Sequence, residues 1–160
     1  QKKITHAEGL AFDIDKIELE TEAIRQQAYQ QAVTLSEKRK KQVKGLVQSV
    51  NELLHKVGMP HAAIQVEVHA AELTRRGIDA VEFLFQANLS KKGEQAFQPL
   101  NKVASGGELS RLMLCVKSLV AEGLRMPPLI FDEIDTGISG EAAKQVDARL
   151  RVLGMNRQVL

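Results

Sequence analysis

From Ala28 the chain places apolar residues at Ala28, Ala32, Leu35, Val43, Leu46, Val47, Val50, Leu53, Leu54 and Val57, mostly three or four apart. That spacing predicts a helix with one narrow apolar stripe and charged faces elsewhere. A narrow stripe suits a coiled-coil arm, or a long helix on a small domain. Near Gly9 and Asp13 to Asp15 the pattern weakens, and a break is expected there. Val57-Gly58-Met59-Pro60 stops the helix, because Gly suits the position past a helix end and Pro cannot continue it.

The period then changes. Ile64-Gln65-Val66-Glu67-Val68 alternates apolar and polar, and Val81-Glu82-Phe83-Leu84-Phe85 is apolar at its odd positions. Both predict strands with one buried face, and Arg75-Arg76-Gly77-Ile78-Asp79 between them predicts a turn and an antiparallel pair. Residues 87–102 are polar and read as a loop. Leu109, Leu112, Met113, Val116, Leu119 and Val120 return to helical spacing. Met126-Pro127-Pro128 ends that helix, and Leu129-Ile130-Phe131 reads as a short, fully buried strand. Glu141 to Leu153 predicts a final helix, stopped by Gly154. Helix, buried strand and helix in that order give an α/β class.

Composition narrows the partners. The chain has 160 residues and 44% apolar content, enough for a real core. Aromatics are 4% with no Trp, which argues against a base-stacking platform. The net charge of +2 selects no partner by itself. Cys115 is the single cysteine, so no internal disulfide forms, and a reducing compartment fits. The sequence contains no signal peptide and no apolar run near membrane-spanning length. It lacks an initiator Met and stops within Gln158-Val159-Leu160, so it is expected to be a piece of a longer protein. The basic run Lys38-Arg39-Lys40-Lys41 reads as a solvated helix face or as a contact to a DNA backbone.

Two stretches carry chemistry. Ser105 is a good N-cap with Glu108 three residues on, a capping box. Gly106 and Gly107 fall in the first turn, where backbone N–H groups lack intrahelical partners and the helix dipole favours an anion. The alternative is a plainly capped helix whose glycines allow tight packing. The second stretch, Leu129-Ile130-Phe131-Asp132-Glu133-Ile134-Asp135, ends an apolar strand in adjacent carboxylates. At the C-terminal edge of an α/β sheet ligands bind. One carboxylate there can hold Mg²⁺ beside phosphates, and the next can deprotonate water. The alternative is a strand ending in a polar turn. Asp135-Thr136-Gly137-Ile138-Ser139-Gly140 follows as a tight polar loop.

V-A-S-G-G-E-L-S-R, then L-I-F-D-E-I-D-T-G-I-S-G, resembles the C-terminal half of the ATPase head of the RecN family, bacterial DNA-repair members of the SMC-like proteins. L-S-E-K-R-K-K and V-G-M-P resemble the returning strand of that family's coiled coil. The resemblance covers roughly residues 28–160 and is strongest over 101–140. It implies the C-terminal half of an ABC/SMC-type P-loop NTPase head with an attached coiled-coil helix. Residues 1–57 would end the arm, and 58–160 would form the C-terminal lobe of the head. The implied ligands are ATP and Mg²⁺. Ser105, Gly106 and Gly107 match the signature motif, which contacts the γ-phosphate of ATP held by an opposing head, and Glu108 matches its fourth position. Asp132 matches the Walker B aspartate associated with Mg²⁺, and Glu133 the carboxylate that activates water. Asp135 to Gly140 match the D-loop; many ABC proteins carry Asp where Ser139 stands, and Ser139 is assigned no role.

The family further implies an ATPase in DNA double-strand-break repair and recombination, with ATP-gated head dimerisation coupled to DNA binding or tethering. Its partners would be the N-terminal half of the same head, a second copy across sandwiched ATP, and DNA, in a bacterial, nucleoid-associated cytoplasmic setting without membrane contact. No G-x-x-x-x-G-K-[ST] occurs in this chain. The family carries it before the coiled coil, and its switch histidine falls beyond Val159. This polypeptide alone is therefore expected not to hydrolyse ATP. His6, His55, His61 and His69 read as surface or packing residues, and Cys115 as a structural thiol. Two rivals stand beside this reading. One is a non-catalytic coiled-coil scaffold. The other is a metal nuclease built on Asp132, Glu133 and Asp135, which needs further ligands that the sequence does not cluster.

Overall fold

The computed structural model describes the backbone of residues 2–87, 97–102, 105–121, 127–138, 140–155 and 158–160, with side chains from Asp13 onward. The elements in chain order are α1 (Lys2–Lys56), β1 (Ala63–Thr74), β2 (Gly77–Gln86), β3 (Gln98–Pro99), a 3₁₀ turn (Leu100–Lys102), α2 (Gly106–Val120) and α3 (Glu141–Gly154). The class is helices with a small sheet of order β1-β2-β3, compatible with α/β. The chain divides into two compact units, Gln1–Lys41 with His69–Ala80, and Gln42–Val68 with Val81–Leu160.

α1 is one helix of 55 residues, and the break expected near Gly9 and Asp13–Asp15 does not occur. A helical glycine costs about 1 kcal/mol relative to alanine, which a helix of this length absorbs. Gly58 ends it in the left-handed region at φ 83°. The Met59 N–H reaches back to the Leu54 carbonyl at 3.1 Å, closing the last turn. The Asn51 side-chain carbonyl accepts the Ile64 N–H at 2.8 Å, which ties the end of α1 to the start of β1.

In the first unit the hairpin tip lies on α1. The Ser36 hydroxyl donates to Asp79 at 2.6 Å, and the Arg39 guanidinium donates to the other Asp79 oxygen at 3.2 Å. The turn itself needs only Arg75 and Arg76, since Gly77 to Asp79, expected in the turn, already belong to β2. A two-residue connection makes β1 and β2 an antiparallel hairpin. Thr74 Oγ1 donates to the Gly77 carbonyl and accepts from the Arg76 N–H, both at 3.1 Å.

The second unit holds the core. Val50, Leu53, Leu54 and Val57 of α1 meet Met59, Ala62, Ile64, Phe85, Leu112, Leu114, Cys115, Leu129, Val146 and Leu153. Burial along β2 fades away from this core: Phe85 is 2% exposed, Phe83 38% and Val81 42%, so the expected buried face is buried only at its root. Part of the expected loop pairs as β3, antiparallel to β2 with Leu84 opposite Pro99; residues 88–96 of that loop lie outside the described residues. Leu129–Phe131 is not the fully buried strand expected. It makes one parallel bridge to Val159, with Leu129 buried and Ile130 71% exposed. Successive residues of an extended chain face opposite ways, and among the described residues nothing covers the Ile130 side. No helix of the described residues is long and apolar enough to cross a membrane.

Candidate functional site

α2 begins where its sequence predicts. Ser105 is the N-cap, with extended backbone, and its hydroxyl accepts the Glu108 N–H at 3.4 Å. Gly106 and Gly107 form the first turn, Gly106 exposed and Gly107 buried. The stripe of α2 differs from the one expected. Gly107, Arg111, Leu112, Leu114 and Cys115 are buried, whereas Leu119 is 36% exposed. Hydropathy is neutral for glycine and marks arginine as solvent-facing, so the pattern alone tilts the helix toward Met113 and Leu119.

Arg111 is the functional-site residue that the sequence reading missed. The residue is 6% exposed, and its guanidinium donates to the carbonyls of Ile134 at 3.3 Å and Thr136 at 2.8 Å, while its Nε has no partner among the described residues. Burial pulls its pKa down, and Glu108 opposes that by favouring the charge. One residue earlier, Ser110 Oγ donates to the Asp132 carbonyl at 2.6 Å. Ser110 and Arg111 thus fasten the helix that begins S-G-G-E to the loop that begins D-E-I-D. A signal for this existed: an arginine directly after the motif, on a helix with a buried face, needs acceptors, and loop carbonyls supply them.

The same fastening brings Glu133 over the glycines. A Cβ on Gly106 would collide with the Glu133 carboxylate, and one on Gly107 would stand 2.9 Å from the Glu133 carbonyl and 3.4 Å from the Thr136 Cβ. The two glycines therefore have a packing reason to be glycines, alongside any phosphate. A carboxylate at a helix start is also electrostatically favourable. Glu133 itself has φ 54°, the only non-glycine in the left-handed region among the described residues. Such backbone costs of order 1–3 kcal/mol and collects at functional sites.

Asp132, Glu133 and Asp135 are all exposed. Among the described residues their carboxylates do not gather into a three-ligand cluster. As hard oxygen donors, Asp132 and Glu133 fit a shared phosphate–Mg²⁺ site better than an all-protein cage. Thr136 N–H closes a turn onto the Glu133 carbonyl at 3.1 Å, and Gly137 and Gly140 have positive φ. Ser139 lies outside the described residues. His55, His61 and His69 are exposed, as expected of surface residues, and the side chain of His6 lies outside the described residues. Cys115 is buried in the core, and burial pushes its thiol up to about 12, with Arg149 opposing. That is an inert thiol, not a nucleophile.

No family model matches this chain. It is similar to the DNA repair protein RecN of Vibrio cholerae, 41% identical over 128 residues, 79% of this chain and 22% of that protein. It is 38% identical over 146 residues to the DNA repair protein RecN of Rickettsia prowazekii, 91% of this chain and 26% of that protein. The DNA repair protein RecN of Deinococcus radiodurans is 36% identical over 149 residues, 92% of this chain and 25% of that protein. The chain spans about a quarter of the length of these relatives.

Proposed function

Because the chain belongs to the RecN family over about a quarter of its relatives' length, we propose that it acts inside a longer DNA repair protein, as the signature and carboxylate part of an ATPase head. The observation that carries this reading is the fastening of the S-G-G-E helix to the D-E-I-D loop through Ser110 and Arg111. Two motifs that each have an ordinary alternative are held together as one piece. In this reading Ser105, Gly106, Gly107 and Glu108 present the helix start to the γ-phosphate of an ATP bound by a second copy. Glu133 accepts a proton from the water that attacks the γ-phosphorus, and ADP and phosphate leave. Mg²⁺, held by Asp132, would neutralise the charge on the phosphates.

Glu133 cannot cover Gly106 and serve a phosphate there together. The reading therefore requires the Glu133 side chain to leave the helix start when nucleotide arrives. The chain has no phosphate-cradling P-loop of its own, so the other half of the head must supply it, and the isolated chain is inactive. The arm would carry head opening and closing to DNA. Its support is the exposed Ile14, Ile17, Ile24 and Leu35, whose spacing fits a seam awaiting a second helix.

A scaffold reading has its own observation, since Glu133 packing on the glycines explains them without nucleotide. Glu133→Gln separates the two. It keeps shape and removes the base, so in the full-length protein ATP binding persists and turnover falls about 10²-fold or more. Unchanged turnover takes Glu133 out of the chemistry and favours the scaffold.

A further inference from the structure

The basic run Lys38 to Lys41 is unused by the head chemistry. In the first unit it does not stand alone. Asp79 accepts from Ser36 and Arg39, and this brings the β1–β2 turn onto the same part of α1. Gly77, at φ 98°, marks the contact: a Cβ there would stand 3.2 Å from Arg39 Nη1 and 3.5 Å from Leu35 Cδ2. Only glycine lets the turn approach so closely in that backbone region. The two residues of the turn are Arg75 and Arg76, both exposed.

Helix and turn together place six cations, Lys38, Arg39, Lys40, Lys41, Arg75 and Arg76, against three carboxylates, Glu37, Glu72 and Asp79. Asp79 is spent on Ser36 and Arg39, its side chain only 2% exposed. The Ser36 hydroxyl first, then Arg39 and nearby Lys40, hold its carboxyl below the usual range against the effect of burial. Lys38, Lys40, Lys41, Arg75 and Arg76 remain exposed, with Glu37 and Glu72 as the exposed acids nearest to them in the chain. The whole chain carries only +2, so this patch is more positive than the molecule around it. Earlier on the arm the sign reverses, with Asp13, Asp15, Glu18, Glu20 and Glu22 all exposed.

We infer that this patch, formed by Lys38, Lys40 and Lys41 around α1 and by the Arg75-Arg76 turn, is a docking surface for the phosphate backbone of duplex DNA. The inference rests on the DNA-repair reading above for its choice among polyanions. No aromatic residue lies within the run or the turn, so the contact is to phosphates and is blind to sequence. The turn is held by two side-chain bonds to the helix, so its arginines are presented by a fixed support. Asp79 serves as the positioning residue, since it holds the turn against the helix.

The test is equilibrium binding of the full-length protein to two random-sequence duplexes of equal length, followed by fluorescence anisotropy across a salt series. Each phosphate contact contributes about −0.9 to the slope of log K against log salt. Arg75→Ala with Arg76→Ala, and separately Lys38→Ala with Lys40→Ala, should each flatten the slope by about 2 and weaken binding about tenfold or more at low salt. The helical circular dichroism signal should not change, because every substituted side chain is exposed. Equal binding of both duplexes is expected. Unaltered slope and affinity in both variants overturn the patch while leaving DNA binding elsewhere intact. A parent protein that binds no duplex overturns the DNA-repair reading and this inference with it. Binding to anionic phosphatidylglycerol vesicles in place of duplex also overturns it.

Discussion

Arg111 shows how a single residue can join two motifs. Its charge opposes burial, yet it sits under the loop because the carbonyls of Ile134 and Thr136 give it acceptors. Hydropathy marks such a residue as solvent-facing, which is why the expected stripe of α2 missed it together with Gly107. Leu112 and Cys115 lay within or beside that stripe and are buried. At Cys115 burial has a consequence that pH reveals. Burial pushes the folded thiol up to about 12, against an ordinary thiol value near 8.5 in the unfolded chain. Between those values the folded state holds a proton that the unfolded state has lost, so stability falls as pH rises. The contribution is complete below about pH 8.5 and disappears toward pH 12. Urea unfolding from pH 8 to pH 11 should show a steeper loss for the parent chain than for Cys115→Ala. The thiol should also resist alkylation at pH 8 until the chain unfolds. Parallel stability curves, or rapid alkylation of the native protein, would contradict the burial.

At the scale of elements, the legible features were those with a strong local rule. The end of α1 at Gly58 and the start of α2 at Ser105 follow from caps and spacing, whereas α3 starts at Glu141 as expected but runs through Gly154, the expected stop, to a C-cap at Met155. The unread features depend on tertiary context. β1 and β2 run 12 and 10 residues, well past their apolar alternation, because hairpin hydrogen bonds continue without a buried face. The Leu129 run, apolar throughout, gave no hint that Ile130 would face outward uncovered. Likewise the sequence suggested a phosphate role for Gly106 and Gly107, and only tertiary structure could put Glu133 against them. Glycines divide on the same principle. Gly58 combines positive φ with a Cβ position 2.8 Å from the Ala142 Cβ, whereas Gly45 meets nothing within 4 Å inside α1. Gly58→Ala should destabilise the chain by about 1–3 kcal/mol, from the strained backbone and the clash. Gly45→Ala should stabilise it by about 0.5–1 kcal/mol. Denaturant midpoints measure both, and equal shifts would mean that Gly58 does not set the end of the arm.

For the whole molecule, the proposed function gives this chain half of each of two tasks. It has an S-G-G-E helix start and a carboxylate pair but no P-loop, and an arm with an exposed apolar seam but no partner helix of its own. In that proposal the other parts of a longer protein and a second copy complete both halves. The central claim is that the glycine-rich helix start serves an ATP held by that second copy. It is tested most directly by ATP turnover in the full-length protein, with and without DNA, beside the same protein carrying Ser105→Arg. The arginine fills the helix start without touching the nucleotide site of its own chain. Turnover lost with ATP binding retained is the predicted result. Equal turnover in both proteins would contradict the claim and leave the glycines as a seat for Glu133 alone.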